Sequence, residues 1–169
     1  MSEPPIKTID IQLDFIKQEL DHISVSIARI DQITQTTKNW AVVTWAGSIA
    51  LIFGGGAQEL KQFVSLTAII PTLFWFIDAW WRRIQRRFGY RSQKISEFLN
   101  SEQLTESIKN NRLVNFKVYD PTATQYRGQK EYKKYISSAK TFRFREVALF
   151  YLGLIVISII LWLCTMKQT

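Results

Sequence analysis

The sequence has few of the residue types on which most enzyme chemistry rests. It contains one cysteine, Cys164, and one histidine, His22, in 169 residues. An intrachain disulfide is therefore excluded, and no His, Cys, Asp and Glu cluster has the spacing of a metal site. No serine or cysteine has an evident histidine to activate it, so an enzyme is not expected and no cofactor is called for. Gly54-Gly55-Gly56 lacks the following lysine and the strand-to-helix setting of a phosphate cradle, and reads as a loop. The opening MSEPPIK has no apolar core of signal-peptide type, so an insertion signal is expected in later segments. Charge, finally, is almost missing from three long blocks.

Those blocks carry the apolar content that a mean hydropathy of −0.05 conceals. They are Trp40 to Gly56, Phe63 to Trp81 with Asp78 as its only charge, and Val147 to Met166. A bilayer core takes about 20 helical residues, so the second and third qualify and the first is just long enough. The expectation is an all-α membrane protein with three transmembrane helices. Its parts are a cytoplasmic coiled-coil helix over 1–38, a hairpin over 39–81, a basic helical region over 82–145, and a third span with a short tail over 146–169.

Orientation follows from charge. Segment 82–145 holds sixteen Lys and Arg against five Asp and Glu, whereas the loop after the first block holds one of each, Glu59 and Lys61. The positive-inside rule puts the basic segment and the N-terminus in the cytoplasm and the tail outside. Trp40, Trp75, Trp80, Trp81 and Trp162 fall near block ends, as an aromatic belt would.

The N-terminal stretch repeats every seven residues. Ile6, Leu13, Leu20 and Ile27 form one series and Ile9, Ile16, Ile23 and Ile30 a second, filling a and d positions with no proline or glycine between them. An amphipathic helix packed on its own chain needs a similar stripe, but so regular a period favours association between chains. Leucine at a with isoleucine at d favours more than two strands, so a homotetramer is the favoured state, with trimer and pentamer open. Ile11, Phe15 and Val25 form a stripe off this seam and are expected to pack on the basic segment. His22 follows Phe15 by one heptad, off the seam. Continued toward the membrane, the seam reads Thr34, Thr37, Ala41, Thr44, Ser48 and Leu51. Hydroxyls around an axis would line a narrow path constricted at Leu51. The same small residues equally suit close helix packing, as do Ala46, Ala50 and Gly54.

In the second block Pro71 is expected to bend the helix, and Asp78 stands four residues before Arg82, a spacing for an interfacial ion pair. The helix is expected to run on to about Leu99 through Ile84, Phe88, Arg91, Ile95 and Phe98. A short helix should begin near Ser101, and LVNFKVYDP reads as a strand or extended segment ending at Asp-Pro. From Lys130 a helical pattern leads into the third span. Arg83, Arg86, Arg87 and Arg91 are candidates for contact with lipid headgroups or an anionic ligand. Tyr90, Tyr119, Tyr126, Tyr132 and Tyr135 among these charges admit a nucleotide signal, with nucleic acid the weaker reading.

At FWFIDAWWRRIQRRFGYRSQKISEFLN, with VNFKVYDP and FRFREVALFYLGL, the sequence resembles a group of small bacterial membrane proteins, the SLATT-type effectors. That resemblance implies a pore-forming or membrane-perturbing effector of antiphage defence in the bacterial inner membrane, silent until a signal or partner acts. The alternative is a non-conducting anchor or scaffold that recruits a cytoplasmic protein partner through its coil and basic surface.

Overall fold

A computed structural model of the chain describes residues 8–54, 58–142 and 144–167. The regular structure is helical: α1 (Thr8–Gly54), α2 (Ile69–Leu99), α3 (Glu102–Lys109), α4 (Lys130–Tyr135), α5 (Ser138–Phe142) and α6 (Arg145–Met166). A 3-10 segment over Gln58–Ala68 precedes α2, and a short 3-10 turn covers Thr124–Tyr126. Ile6, Gly55 and Gly56 lie outside the described residues.

α1 is unbroken because nothing in it opposes a helix until its glycine-rich end. Its hydroxyl side chains bond back to the same helix: Thr34 to the Asp31 carbonyl at 3.0 Å, Thr37 to that of Ile33 at 2.9 Å, and Ser48 to that of Thr44 at 2.8 Å. Such back-bonding satisfies the hydroxyls within the helix at a slight cost to its ladder. The amphipathic stretch and the first apolar block are thus one helix. α2 likewise runs to Leu99, joining the second block to the basic region, and α3 begins where the sequence suggested.

Two local expectations change, and the second block begins as a 3-10 segment. No strand occurs among the described residues. The segment around LVNFKVYDP turns through left-handed Asn111, Asn115, Tyr119 and Ala123, whose φ angles of 52°, 55°, 57° and 54° prevent an extended ladder. Pro71 lies within the segment Leu60–Leu99, in the first turn of α2 where the 3-10 segment gives way to α-helix. Before it the chain is 3-10 helical for 11 residues, an uncommon length. The helix from Lys130 does not run straight on: α4, α5 and α6 are separate.

Among the described residues two segments are long and apolar enough to cross a membrane, Leu60–Leu99 and Arg145–Met166. The first block, the C-terminal part of α1, is not among them, so two of the three expected spans meet that measure. The chain forms two compact units. Unit one comprises the chain through Ile30 and 84–136; unit two comprises 31–83 and 137 onward.

In unit one, Ile16 and Ile23 are buried with Ile95 and Phe98, and Leu13, Leu20, Ile27, Phe88, Leu104, Leu113 and Phe116 pack around them. The expected inter-chain seam, including buried Ile9 and Ile30, is therefore an intrachain core. The physical reason is that α2 continues past the basic stretch as an amphipathic helix and supplies the apolar face that a second coil strand would have supplied. Conversely Ile11, Phe15 and Val25, expected to pack on the basic segment, are exposed, Val25 by 68%. In unit two, Ala41, Val147 and Tyr151 are buried beside Phe74, Trp75 and Phe150, and the 3-10 segment packs along α6.

Candidate functional site

Unit one is organised by an ion pair that the sequence reading missed. Glu19 and Arg91, both fully buried, form a bidentate pair at 2.7 and 2.8 Å. The Glu19 carboxylate also accepts the backbone N–H of Tyr119 at 3.1 Å and of Asp120 at 2.8 Å. Arg91 Nη2 donates to the Lys117 carbonyl at 2.7 Å, and its guanidinium lies 4.6 Å from the Phe116 ring centroid. The pair thus pins the irregular segment between α3 and α4 to α1 and α2, including Tyr119 in its left-handed conformation. Arg91, expected on the lipid or ligand surface, is instead an internal strut. A signal was present: Glu19 falls between Ile16 and Ile23 on the apolar face of α1, where an acid needs a cation.

Asp120 completes this corner. It accepts the N–H groups of Thr124 and Gln125, each at 2.9 Å, and the Thr124 hydroxyl at 2.5 Å. Burial pushes its carboxyl up. The Gln125 and Thr124 hydrogen bonds and the Arg91 charge together outweigh that and hold it below its ordinary value.

The tyrosines are not an open stacking surface. Tyr90 is buried and meets Tyr126, Tyr132 and Tyr135 edge-on at 5.6, 5.2 and 5.2 Å. Arg86, another surface candidate, donates to the Tyr135 carbonyl at 2.7 Å and lies 4.7 Å from that ring's centroid. Tyr119 alone of the five is exposed by about half, at 49%, with His22 edge-on to it at 6.2 Å. Beside them Phe15, Gln18, Val118 and Tyr119 line a shallow cleft of about 470 Å³.

Unit two carries an internal polar ladder. Trp45 Nε1 donates to the Ser158 hydroxyl at 2.8 Å, and the Thr67 hydroxyl lies 3.1 Å from it, linking α1, the 3-10 segment and α6. Two turns away along α6, the Tyr151 hydroxyl donates to Asp78 at 3.4 Å. The expected Asp78–Arg82 pair is present but long, at 3.9 Å, and Arg82 makes a shorter bond of 3.0 Å to Asp31. Asp78 is fully buried, with one carboxylate oxygen lacking a hydrogen-bond partner. The acid thus faces the helix interior of its own unit, at the end of the apolar stretch.

The candidate axis residues divide. Thr37 and Ala41 are buried within unit two, Ala41 in its core, so they do not face outward. Thr44 and Leu51 are exposed, Leu51 by 76%, and Ser48 is half-buried. A straight helix drifts about 20° per heptad from a 3.5-residue repeat, so a seam projected through several heptads leaves its face. Past Ala41 the inner side is marked by Trp45, whose Nε1 reaches Ser158, and by half-buried Ile49 and Ile52 one and two turns on, with Ser48 at the edge of this face and Thr44 outside. Among the described residues no group of three His, Cys, Asp or Glu side chains is placed to hold a metal.

No family model, no curated protein and no solved structure matches this chain.

Proposed function

We propose that the chain is a membrane-embedded homo-oligomer that forms a gated path through the bilayer, with α1 turned toward the other copies. The observation that carries this reading is the difference between the exposed faces of unit two. On α6 the exposed side chains include Leu149, Leu152, Val156, Ile157, Ile159, Ile160 and Leu163, a surface that water would not tolerate but lipid would. On α1 the exposed face mixes Asn39, Thr44, Ala46, Gly47 and Ala50 with the apolar Trp40, Val42, Val43, Leu51 and Phe53. Its small residues let helices approach closely, and its hydroxyl can hydrogen-bond across them. The failure of α1 to qualify as a span by itself has the same explanation, since a helix screened by its copies need not be uniformly apolar. Thr44, Ser48 and Leu51 then line the path, with Leu51 as its apolar constriction. The tetramer argument rested on side chains now in the intrachain core, so the copy number is left to measurement. The setting is a bacterial inner membrane, with unit one cytoplasmic by the positive-inside rule, an effector role in antiphage defence, and a cytoplasmic protein or nucleotide as the trigger.

Dye release from liposomes tests this. The wild-type chain, once triggered, should release a small dye or conduct, and Leu51→Ala should raise the leak. Liposomes that stay sealed with both proteins under every trigger tried would end the pore reading.

A second reading is supported by the exposed Ile11, Phe15 and Val25 and the cleft beside Phe15. There the chain is an anchor whose unit one holds a cytoplasmic partner, and Phe15→Asp should release that partner while leaving the chain in the membrane.

A further inference from the structure

Five arginines, Arg82, Arg83, Arg86, Arg87 and Arg91, follow the aromatic end of the second apolar block, and the structure gives them different surroundings. Arg91 is consumed by Glu19, and Arg86 by the Tyr135 carbonyl and ring. Arg83 and Arg87 each keep a shielded Nε with no hydrogen-bond partner, and of the two it is Arg83, half-buried in unit two, that lines a cleft. No ion pair to Arg83 occurs among the described residues. It stands at one end of a cleft of about 200 Å³ between α2 and α5, lined by Phe76, Ala79, Trp80, Thr141 and Phe142. The walls are apolar: Phe76 meets Phe142 edge-on at 5.0 Å, and Thr141 directs its hydroxyl to the Ser137 carbonyl. Phe76 and Trp80 are exposed by 58% and 62% on the outer side of a helix long and apolar enough to cross a bilayer.

We propose that this cleft is a binding site for one anionic phospholipid. Its phosphate sits on the Arg83 guanidinium, and its glycerol and upper acyl carbons lie along Phe76, Trp80 and Phe142. The chemistry matches at both ends. A guanidinium stays charged and offers a planar pair of N–H donors to a phosphate, and a cation left without a carboxylate in a half-buried cleft favours an anion. A water-soluble phosphate would not use the exposed aromatic wall, whereas a lipid covers it. Trp at that depth is also the usual interfacial anchor. The site rests on the membrane reading above, and its test separates the two.

The full chain is purified in mild detergent and titrated with phosphatidylglycerol or phosphatidylcholine, and bound lipid is counted by native mass spectrometry. One basic side chain at an anionic surface contributes about 1 kcal/mol, so wild type should retain phosphatidylglycerol about 5-fold better. Arg83→Gln should bring the two lipids to parity, Arg83→Lys, which keeps the charge but not the planar donor pair, should keep part of the preference, and Arg87→Gln, altered in the other unit, should keep all of it. Equal retention by wild type, an undiminished preference in Arg83→Gln, or its loss in Arg87→Gln overturns the site. Displacement of phosphatidylglycerol by millimolar inorganic phosphate also overturns it, as a simple anion site. A wild-type chain that fails to float with vesicles of either lipid contradicts the membrane reading itself. Flotation without selectivity contradicts the site alone.

Discussion

Removing the Glu19 carboxylate is the most informative perturbation of unit one. Glu19→Gln keeps the shape and most of the volume but leaves the Arg91 guanidinium buried without its counter-charge. Breaking one partner of a buried pair costs about 3–5 kcal/mol, because the remaining charge is uncompensated. The carboxylate also accepts the Tyr119 and Asp120 N–H groups, and a side-chain amide with one oxygen cannot serve both as well. A buried donor left unpaired costs about 1–3 kcal/mol, so the loss should lie at the upper end of the first range or slightly beyond. Denaturant unfolding of the full chain in mild detergent, followed by far-UV circular dichroism, measures it. Arg91→Leu should cost a similar amount. The double variant Glu19→Gln/Arg91→Leu should cost clearly less than the sum, since no buried charge then survives. The exposed Lys94–Glu97 pair, with Glu97 49% accessible, provides the scale, and Lys94→Ala should cost no more than about 1 kcal/mol. A Glu19→Gln loss no larger than that of Lys94→Ala, or strictly additive single variants, would refute the account of the Glu19–Arg91 strut.

Four further outcomes are expected. Ser158→Ala removes the acceptor of Trp45 Nε1 and the partner of Thr67, and should destabilise unit two by about 0.5–2 kcal/mol, the range for polar contacts between membrane helices. Asp120 titrates below its ordinary value, so its stabilising effect is present above the usual carboxylate pKa of about 3.9 and is lost as pH falls through the lower folded value. Amide exchange at Thr124 and Gln125 should therefore be slower in wild type than in Asp120→Ala near neutrality, and the difference should vanish in strong acid. Ala41→Leu overfills a closed core and should cost about 1–3 kcal/mol of stability. Ala50→Leu, on an exposed face, should leave the stability of the isolated chain within about 0.5 kcal/mol and instead weaken association between copies.

Much of the helical layout was legible in the sequence because each helix carries a periodic apolar face and few breakers. The run of α2 to Leu99 followed from Ile84, Phe88, Arg91, Ile95 and Phe98, and the start of α3 from Ser101. The partner of the N-terminal stripe was not legible. Ile9, Ile16, Ile23 and Ile30 make the same pattern whether they face a second chain or the chain's own α2, and periodicity does not say which. Arg91 shows the same limit, since its place in an apolar four-three series marked it as inward, but its charge drew it toward a surface role. The left-handed turns at Tyr119 and Ala123 had no glycine to announce them, so LVNFKVYDP read as extended. Asp78 and Arg82 were paired by spacing, whereas Asp31, fifty-one residues away, holds Arg82 more closely. Long-range pairs of that kind leave no trace in local pattern.

The central claim is that the small-residue face of α1 meets other copies while α6 faces lipid. Cysteine cross-linking in native membranes tests it most directly, with Cys164→Ser as the background because Cys164 is itself exposed. Ala50→Cys should give a dimer band within seconds of mild oxidation, and Val156→Cys on α6 should stay monomeric. The reverse pattern, or no cross-link at Ala46, Ala50 or Leu51, would contradict the account.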